Sequence, residues 1–149
     1  MQNYIKYNNA ILKMESGKLS EAVVDFKELG DLENSSKYFE LCNAYSKYVG
    51  LWECTEYVVY QITNNDGLRS LFYEDFLTIQ ILISKDCEVS CKVNGVDATV
   101  SGDILTYHKY YKKNDTNTFN ISTGERTMQF YDTKGNKLDR YEYTYRKIW

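Results

Sequence analysis

Apolar positions recur along this chain at two periods, and the change falls at Gly50-Leu51-Trp52. Upstream, Tyr4, Tyr7, Ile11 and Met14 are spaced by three and four residues, which predicts one face of a helix ending near Ser16-Gly17. Ser20 suits the N-cap of a second helix that turns Ala22, Phe26 and Leu29 inward and closes at Gly30. A third helix, capped by Asn34 or Ser35, carries the stripe Tyr38, Leu41, Cys42, Tyr45 and Tyr48. Downstream the period falls to two. Strands are predicted at roughly 51–62, 75–84, 87–93, 96–101, 104–111, 118–122, 126–131 and 137–148. Between them lie Asn64-Asn65-Asp66-Gly67, Lys85-Asp86, Asn94-Gly95, Gly102-Asp103, Thr123-Gly124 and Lys134-Gly135-Asn136, short turns that require antiparallel neighbours. Val96, Ala98 and Val100 share one face and Asp97, Thr99 and Ser101 the other, so one side of the sheet is dry.

An open sheet of eight strands leaves two unpaired edges, and closure removes them. The expected fold class is α+β: a short N-terminal helical segment, residues 1–49, followed by an eight-stranded antiparallel up-and-down β-barrel, residues 50–149. A barrel of this strand number is filled by its own side chains or holds one small ligand.

Composition narrows the picture. The 149 residues are 43% hydrophobic and 26% charged, enough apolar material for one good core and unlike a disordered chain. Fifteen Tyr favour pleated, half-buried surfaces, and the absence of Pro leaves the turns to Gly, Asn and Asp. The net charge of −3 is evenly spread, with six Lys against seven acids before Gly50 and 12 basic against 14 acidic residues from there on. No basic stripe exists for nucleic-acid phosphates. No apolar run reaches the roughly 18 residues of a membrane span, and the first twenty residues hold no signal-peptide core. A cytoplasmic location is expected, or an exported one if the chain is cut from a longer secreted protein. Cys42, Cys54, Cys87 and Cys91 form no C-x-x-C pair and are expected as reduced, buried thiols.

Residues 7–30 resemble a tetratricopeptide repeat, with Ala10, Gly17, Ala22, Phe26 and Leu29 at that family's packing positions, although its tryptophan and closing proline are absent. Three repeats are generally needed for a solenoid, so the helices are expected to pack on the β-part. Gly50-Leu51-Trp52, with the strand meander after it, resembles the opening of lipocalin-like (calycin) barrels. The resemblance implies that Gly50 ends the third helix, that Trp52 closes the barrel base, and that a basic residue of the last strand, by position Arg146, lies over the indole. It also implies a small apolar ligand inside the barrel.

Candidate chemistry is sparse. Trp52, Cys54, Glu56, Val58, Tyr60 and Ile62 share one parity of the first strand. Glu56 interrupts an otherwise apolar face, and an inward carboxylate must be paired. Arg140 and Glu142 share a face of the last strand, so Glu56 with Arg140 is an expected internal pair. Trp52, Glu56, Tyr60, Arg140 and Glu142 are thus the candidate ligand-binding residues. Alternatively, a bulge in the first strand turns Glu56 to solvent. Tyr141, Tyr143 and Tyr145 occupy the opposite face, forming an aromatic wall if inward and a docking patch for the helices or a partner if outward. Tyr107 to Lys113 mixes aromatics with positive charge, and reads as a solvated strand end running into a polar loop at 114–117. His108 has no nucleophile at motif spacing, and there is no G-x-S-x-G, H-E-x-x-H, phosphate loop or dinucleotide glycine pattern. Cys54, Cys87, Cys91 and His108 lack paired metal-ligand spacing. The expected function is non-enzymatic, without cofactor or metal. Either a small apolar ligand occupies the barrel, or a filled barrel and the helices engage a protein partner or a second copy.

Overall fold

In a computed structural model, which describes residues 2–60, 76–108 and 114–149 and only the backbone of Val59, Tyr60 and Asn114, both periods take the predicted form. Three helices, α1 (Gln2–Glu15), α2 (Leu19–Leu29) and α3 (Ser35–Ser46), precede eight strands. These are β1 (Gly50–Tyr60), β2 (Phe76–Ile83), β3 (Val89–Val93), β4 (Val96–Ser101), β5 (Ile104–Tyr107), β6 (Asn114–Asn120), β7 (Glu125–Tyr131) and β8 (Lys137–Lys147). The strands follow one another around a closed antiparallel barrel in sequence order. None of the described helices is long and apolar enough to cross a membrane.

The chain divides into two compact units. The first joins the residues up to Gly50 with Ile79–Cys91. Its core is Tyr7, Ala10, Ile11 and Met14 of α1, Leu19, Ala22 and Phe26 of α2, and Tyr38 and Cys42 of α3, with Ile79, Ile81 and Ile83 buried on alternate positions of β2. Tyr7, Phe26 and Tyr38 form an aromatic trio with ring centroids 5.3–6.3 Å apart. The Tyr38 hydroxyl donates to the Lys85 carbonyl at 2.9 Å, tying α3 to the turn after β2.

Three details differ from the sequence reading. Tyr4 is 48% exposed, because the buried stripe of α1 begins at Tyr7. Helix α2 starts at Leu19 after Lys18, with no side-chain cap. Burying Leu19, worth about 1.5–3 kcal/mol, outweighs the roughly 1 kcal/mol a Ser20 cap would add. Cys87 lies outside β3, in the turn, with φ +66°.

The second unit comprises Leu51–Thr78 and Lys92–Trp149. Its registers are set by tight turns. At Asn94-Gly95 both residues have positive φ, and the Asn94 side chain accepts from Thr78 N at 2.7 Å and donates to the Phe76 carbonyl at 3.2 Å. Gly124, with φ +79°, lies against β8 so closely that a Cβ would sit 2.3 Å from the Tyr145 carbonyl oxygen. Strand β6 begins at Asn114, four residues before its predicted start, so the presumed polar loop at 114–117 is strand. The turn at 64–67 and residues 109–113 of the basic-aromatic segment lie outside the described residues.

Candidate functional site

The registers of β5 through β8 and back to β1 align side chains in rows across five strands. One row reads Leu105, Phe119, Arg126, Tyr143 and Tyr57, and the next, over the first four of these strands, reads Tyr107, Asn117, Met128 and Tyr141. Both belong to the dry face, where Leu105, Phe119, Asn117 and Arg126 are essentially without solvent contact. Exposure rises along the first row, from 0% at Leu105 and Phe119 through 6% at Tyr143 to 45% at Tyr57.

Arg126 organises this interior. Its Nε and Nη2 donate to Asn117 Oδ1 at 3.0 and 2.7 Å, and Nη1 donates to the Tyr145 hydroxyl at 2.6 Å. The guanidinium stands 4.5 Å from the ring centroid of Tyr143 and 5.8 Å from that of Tyr107, distances at which the ring quadrupole attracts a cation. Asn117 in turn donates from Nδ2 to Asp115 Oδ2 at 2.8 Å, linking the cation to a carboxylate that is 2% exposed. A charge at this depth is tolerated because it is paired through hydrogen bonds on several sides. His108 lies near the same strand, its Nδ1 2.5 Å from the Asp115 carbonyl oxygen. Around the polar centre Phe119 meets Trp52 at 5.4 Å and Tyr145 at 5.7 Å edge to face, and Tyr141, Tyr143 and Tyr145 continue as a ladder of stacked and tilted rings.

The sequence-predicted residues fall into two groups. Gly50 (φ +139°) leads from the helices into β1, and Trp52 is 7% exposed against Phe119. Arg146 is turned to Glu53 on the neighbouring strand, with Nη2 2.7 Å from Oε1, and its side chain is 70% exposed. The cation that lies over aromatic rings in this interior is Arg126. A register shift between Cys54 and Glu56 adds Thr55 to β1, so Cys54 pairs with Tyr145 but Glu56 pairs with Thr144. From there on the face is exchanged. Glu56 and Val58 are exposed, and Tyr57 joins the tyrosine row. Arg140 and Glu142 stand on the outer face, about two-fifths exposed and ion-paired to each other at 3.1 Å, and the tyrosines of β8 face inward. The side chain of Tyr60 lies outside the described residues. The interior is therefore built from Arg126, Asn117 and the tyrosines. The Thr123-Gly124 turn was the available signal, since it pairs Asn120 with Glu125 and hence Phe119 with Arg126.

A concavity of about 310 Å³ lies on the outer face of β1, β8 and β7. Glu56, Thr144 and Glu125 form one wall and Val58, Glu142 and Thr127 the other. Tyr57, Tyr143 and Arg126, whose side chains point to the opposite face, leave their backbone as its floor.

No family model matches the sequence, and no curated protein matches it. Among solved structures, a protein of unknown function from the DUF3598 family of Nostoc punctiforme aligns at 14% identity with a TM-score of 0.33. The alignment covers 67% of this chain and 47% of that one, so the chain spans about half the length of its match. A likeness of that size decides neither fold nor function.

Proposed function

We propose that this is a lipocalin-like, non-enzymatic binding protein that takes a small, mainly apolar molecule into its barrel, with the tyrosine hydroxyls and Arg126 orienting the ligand's polar group. The observation that carries the reading is the burial gradient along the inner row, from closed packing at Leu105 and Phe119 to a half-exposed Tyr57 ring 6.3 Å from Tyr143. An aromatic face that opens toward one side, with a few fixed polar groups at its closed end, has the composition of a small-molecule site. Native mass spectrometry of the purified chain, followed by titration with an apolar fluorescent dye, tests it. A co-purifying molecule, or dye binding weakened by Tyr143→Ala, is expected. Absence of both would overturn the reading.

One observation favours a second reading, in which the barrel is filled and the protein acts through its exterior and its tetratricopeptide-like helices on a protein partner or a second copy. Arg126, Asn117 and Tyr145 satisfy one another, and Phe119 fills the space between Trp52 and Tyr145. Light scattering that finds a dimer, together with failed dye binding, would select it.

A further inference from the structure

Among the described residues, two buried side chains carry a formal charge, Arg126 of β7 and Asp115 of β6. They are joined through one amide. Arg126 Nε and Nη2 donate to Asn117 Oδ1, Arg126 Nη1 donates to the Tyr145 hydroxyl, and Asn117 Nδ2 donates to Asp115 Oδ2. The guanidinium also stands against the rings of Tyr143 and Tyr107. His108 is exposed, and its Nδ1 meets the Asp115 backbone carbonyl rather than the carboxylate. Toward the ends of β8, Asp139 and Lys147 are half-buried and of opposite sign, and Arg140 and Glu142 pair with each other on the outer face. The described interior is therefore electrically balanced, with one cation and one anion at its centre.

For a barrel that holds a ligand, the reading on which this inference rests, that balance decides the ligand's polar group. A carboxylate would have to draw Nε and Nη2 away from Asn117 Oδ1, stranding an acceptor without solvent contact. An ammonium would have to draw Asp115 Oδ2 away from Asn117 Nδ2, stranding a donor at the same depth. Either ion would leave one charge uncompensated where water does not reach. A hydroxyl or carbonyl oxygen brings no charge, and tyrosine hydroxyls, which both donate and accept, can meet it. The half-buried Val96, Ala98 and Val100 of β4 and the rings of Tyr57 and Tyr141 offer apolar surface to the rest of the molecule. We propose that the ligand of this barrel is an uncharged alcohol or carbonyl compound, and that the chain Asp115, Asn117 and Arg126 discriminates against carboxylic acids and amines of the same shape.

The test is displacement of the apolar dye from the full chain at pH 7 by naphthalene-2-ethanol, naphthalene-2-acetate and naphthalene-2-ethylamine, three polar heads on one apolar body. The alcohol should displace the dye at a concentration about tenfold or more below that of either ion, the ratio expected when a buried charge lacks a counter-ion. Asp115→Asn keeps an oxygen for Asn117 Nδ2 and leaves Arg126 unbalanced, so the acetate should gain about tenfold on the alcohol, with the circular dichroism of the parent retained. Should that variant fail to fold, the ranking of the three probes on the parent remains decisive. Acetate or amine as effective as the alcohol on the parent, or a folded Asp115→Asn variant that keeps the parent's ranking, would overturn the proposal and leave a ligand-binding barrel in place. A dye that binds and that none of the three displaces would overturn it too. A dye that does not bind at all removes the barrel reading itself, and this inference with it.

Discussion

Replacing Arg126 with methionine keeps most of the side-chain length and removes the charge and every donor. The substitution strands Asn117 Oδ1, which is fully buried and accepts from both Nε and Nη2. Leaving such an acceptor unmet costs about 1–3 kcal/mol, and the 2.6 Å bond to the Tyr145 hydroxyl, donated by a cation, contributes about 1.5–3 kcal/mol. The cation-π contact with Tyr143, out of water, is worth up to about 2 kcal/mol. Release of the guanidinium from its own desolvation and the apolar surface of methionine offset part of this sum. The net loss should approach the roughly 3–5 kcal/mol of breaking a buried ionic partner. At about 2–4 °C per kcal/mol for a chain of this size, the melting temperature should fall by roughly 6–20 °C. Urea unfolding of the full chain, followed by tryptophan fluorescence and circular dichroism, measures the loss. Asn117→Leu should behave similarly, because it takes the acceptor from Nε and Nη2. A loss below about 1 kcal/mol, the range of solvated surface pairs, would refute a closed network around Arg126.

Gly124→Ala should destabilise by more than about 2 kcal/mol, since the positive φ alone costs about 1–2 kcal/mol and the added Cβ meets the Tyr145 carbonyl, as thermal unfolding would show. Asp132 accepts hydrogen bonds from the backbone of Lys134 and Asn136 and from the Asn136 amide. The Asn136 bonds hold its carboxyl below the usual carboxylate range. A depressed folded pKa gives stability that is present above the unfolded value of 3.8 and is lost as pH falls through the folded one. Asp132→Ala should therefore be less stable than the parent at pH 7, and the difference should close below pH 3.8 in a pH series of urea midpoints. Burial pushes the Cys42 and Cys91 thiols up to about 12, whereas Cys54 and Cys87 are half-buried. Thiol titration at pH 8 should show two cysteines reacting at once and two only on unfolding; uniform reaction of all four would contradict the packing.

The periodicity of apolar residues carried the element order, the closed antiparallel barrel and the helical cores, because burial imposes those periods directly. Faces were legible only where the period ran unbroken. On β4 the exposed positions Asp97, Thr99 and Ser101 are the predicted ones. On β1 the parity counted from Trp52 placed Glu56 inside, and one extra residue, Thr55, reversed it without a glycine or proline to mark the spot. Arg140 and Glu142 enter the inward set on the same parity, because an inward Glu56 needs a partner. Asp115 and Asn117 fall in the segment that reads as a polar loop, and Arg126 lies at the start of a predicted strand. Polar residues in a strand read as outward, and only the register fixed by the Thr123-Gly124 turn shows three of them sharing a face with Phe119 and Tyr145. Tertiary pairing, which no local pattern encodes, made these residues the centre of the interior.

The extra residue in β1 has an evolutionary reading. Up to Cys54 the strand is committed to closing Trp52 against Phe119, and after Thr55 it supplies Tyr57 to one face and Glu56 and Val58 to the other. A single-codon deletion of Thr55 would remove the bulge and leave Cys54 opposite Tyr145, Glu56 opposite Thr144 and Tyr57 opposite Tyr143, so both lining sets would keep their faces. What each face of β1 presents is therefore held by its pairing with β8, and chain length at the bulge is free to vary by one residue without substituting any lining residue.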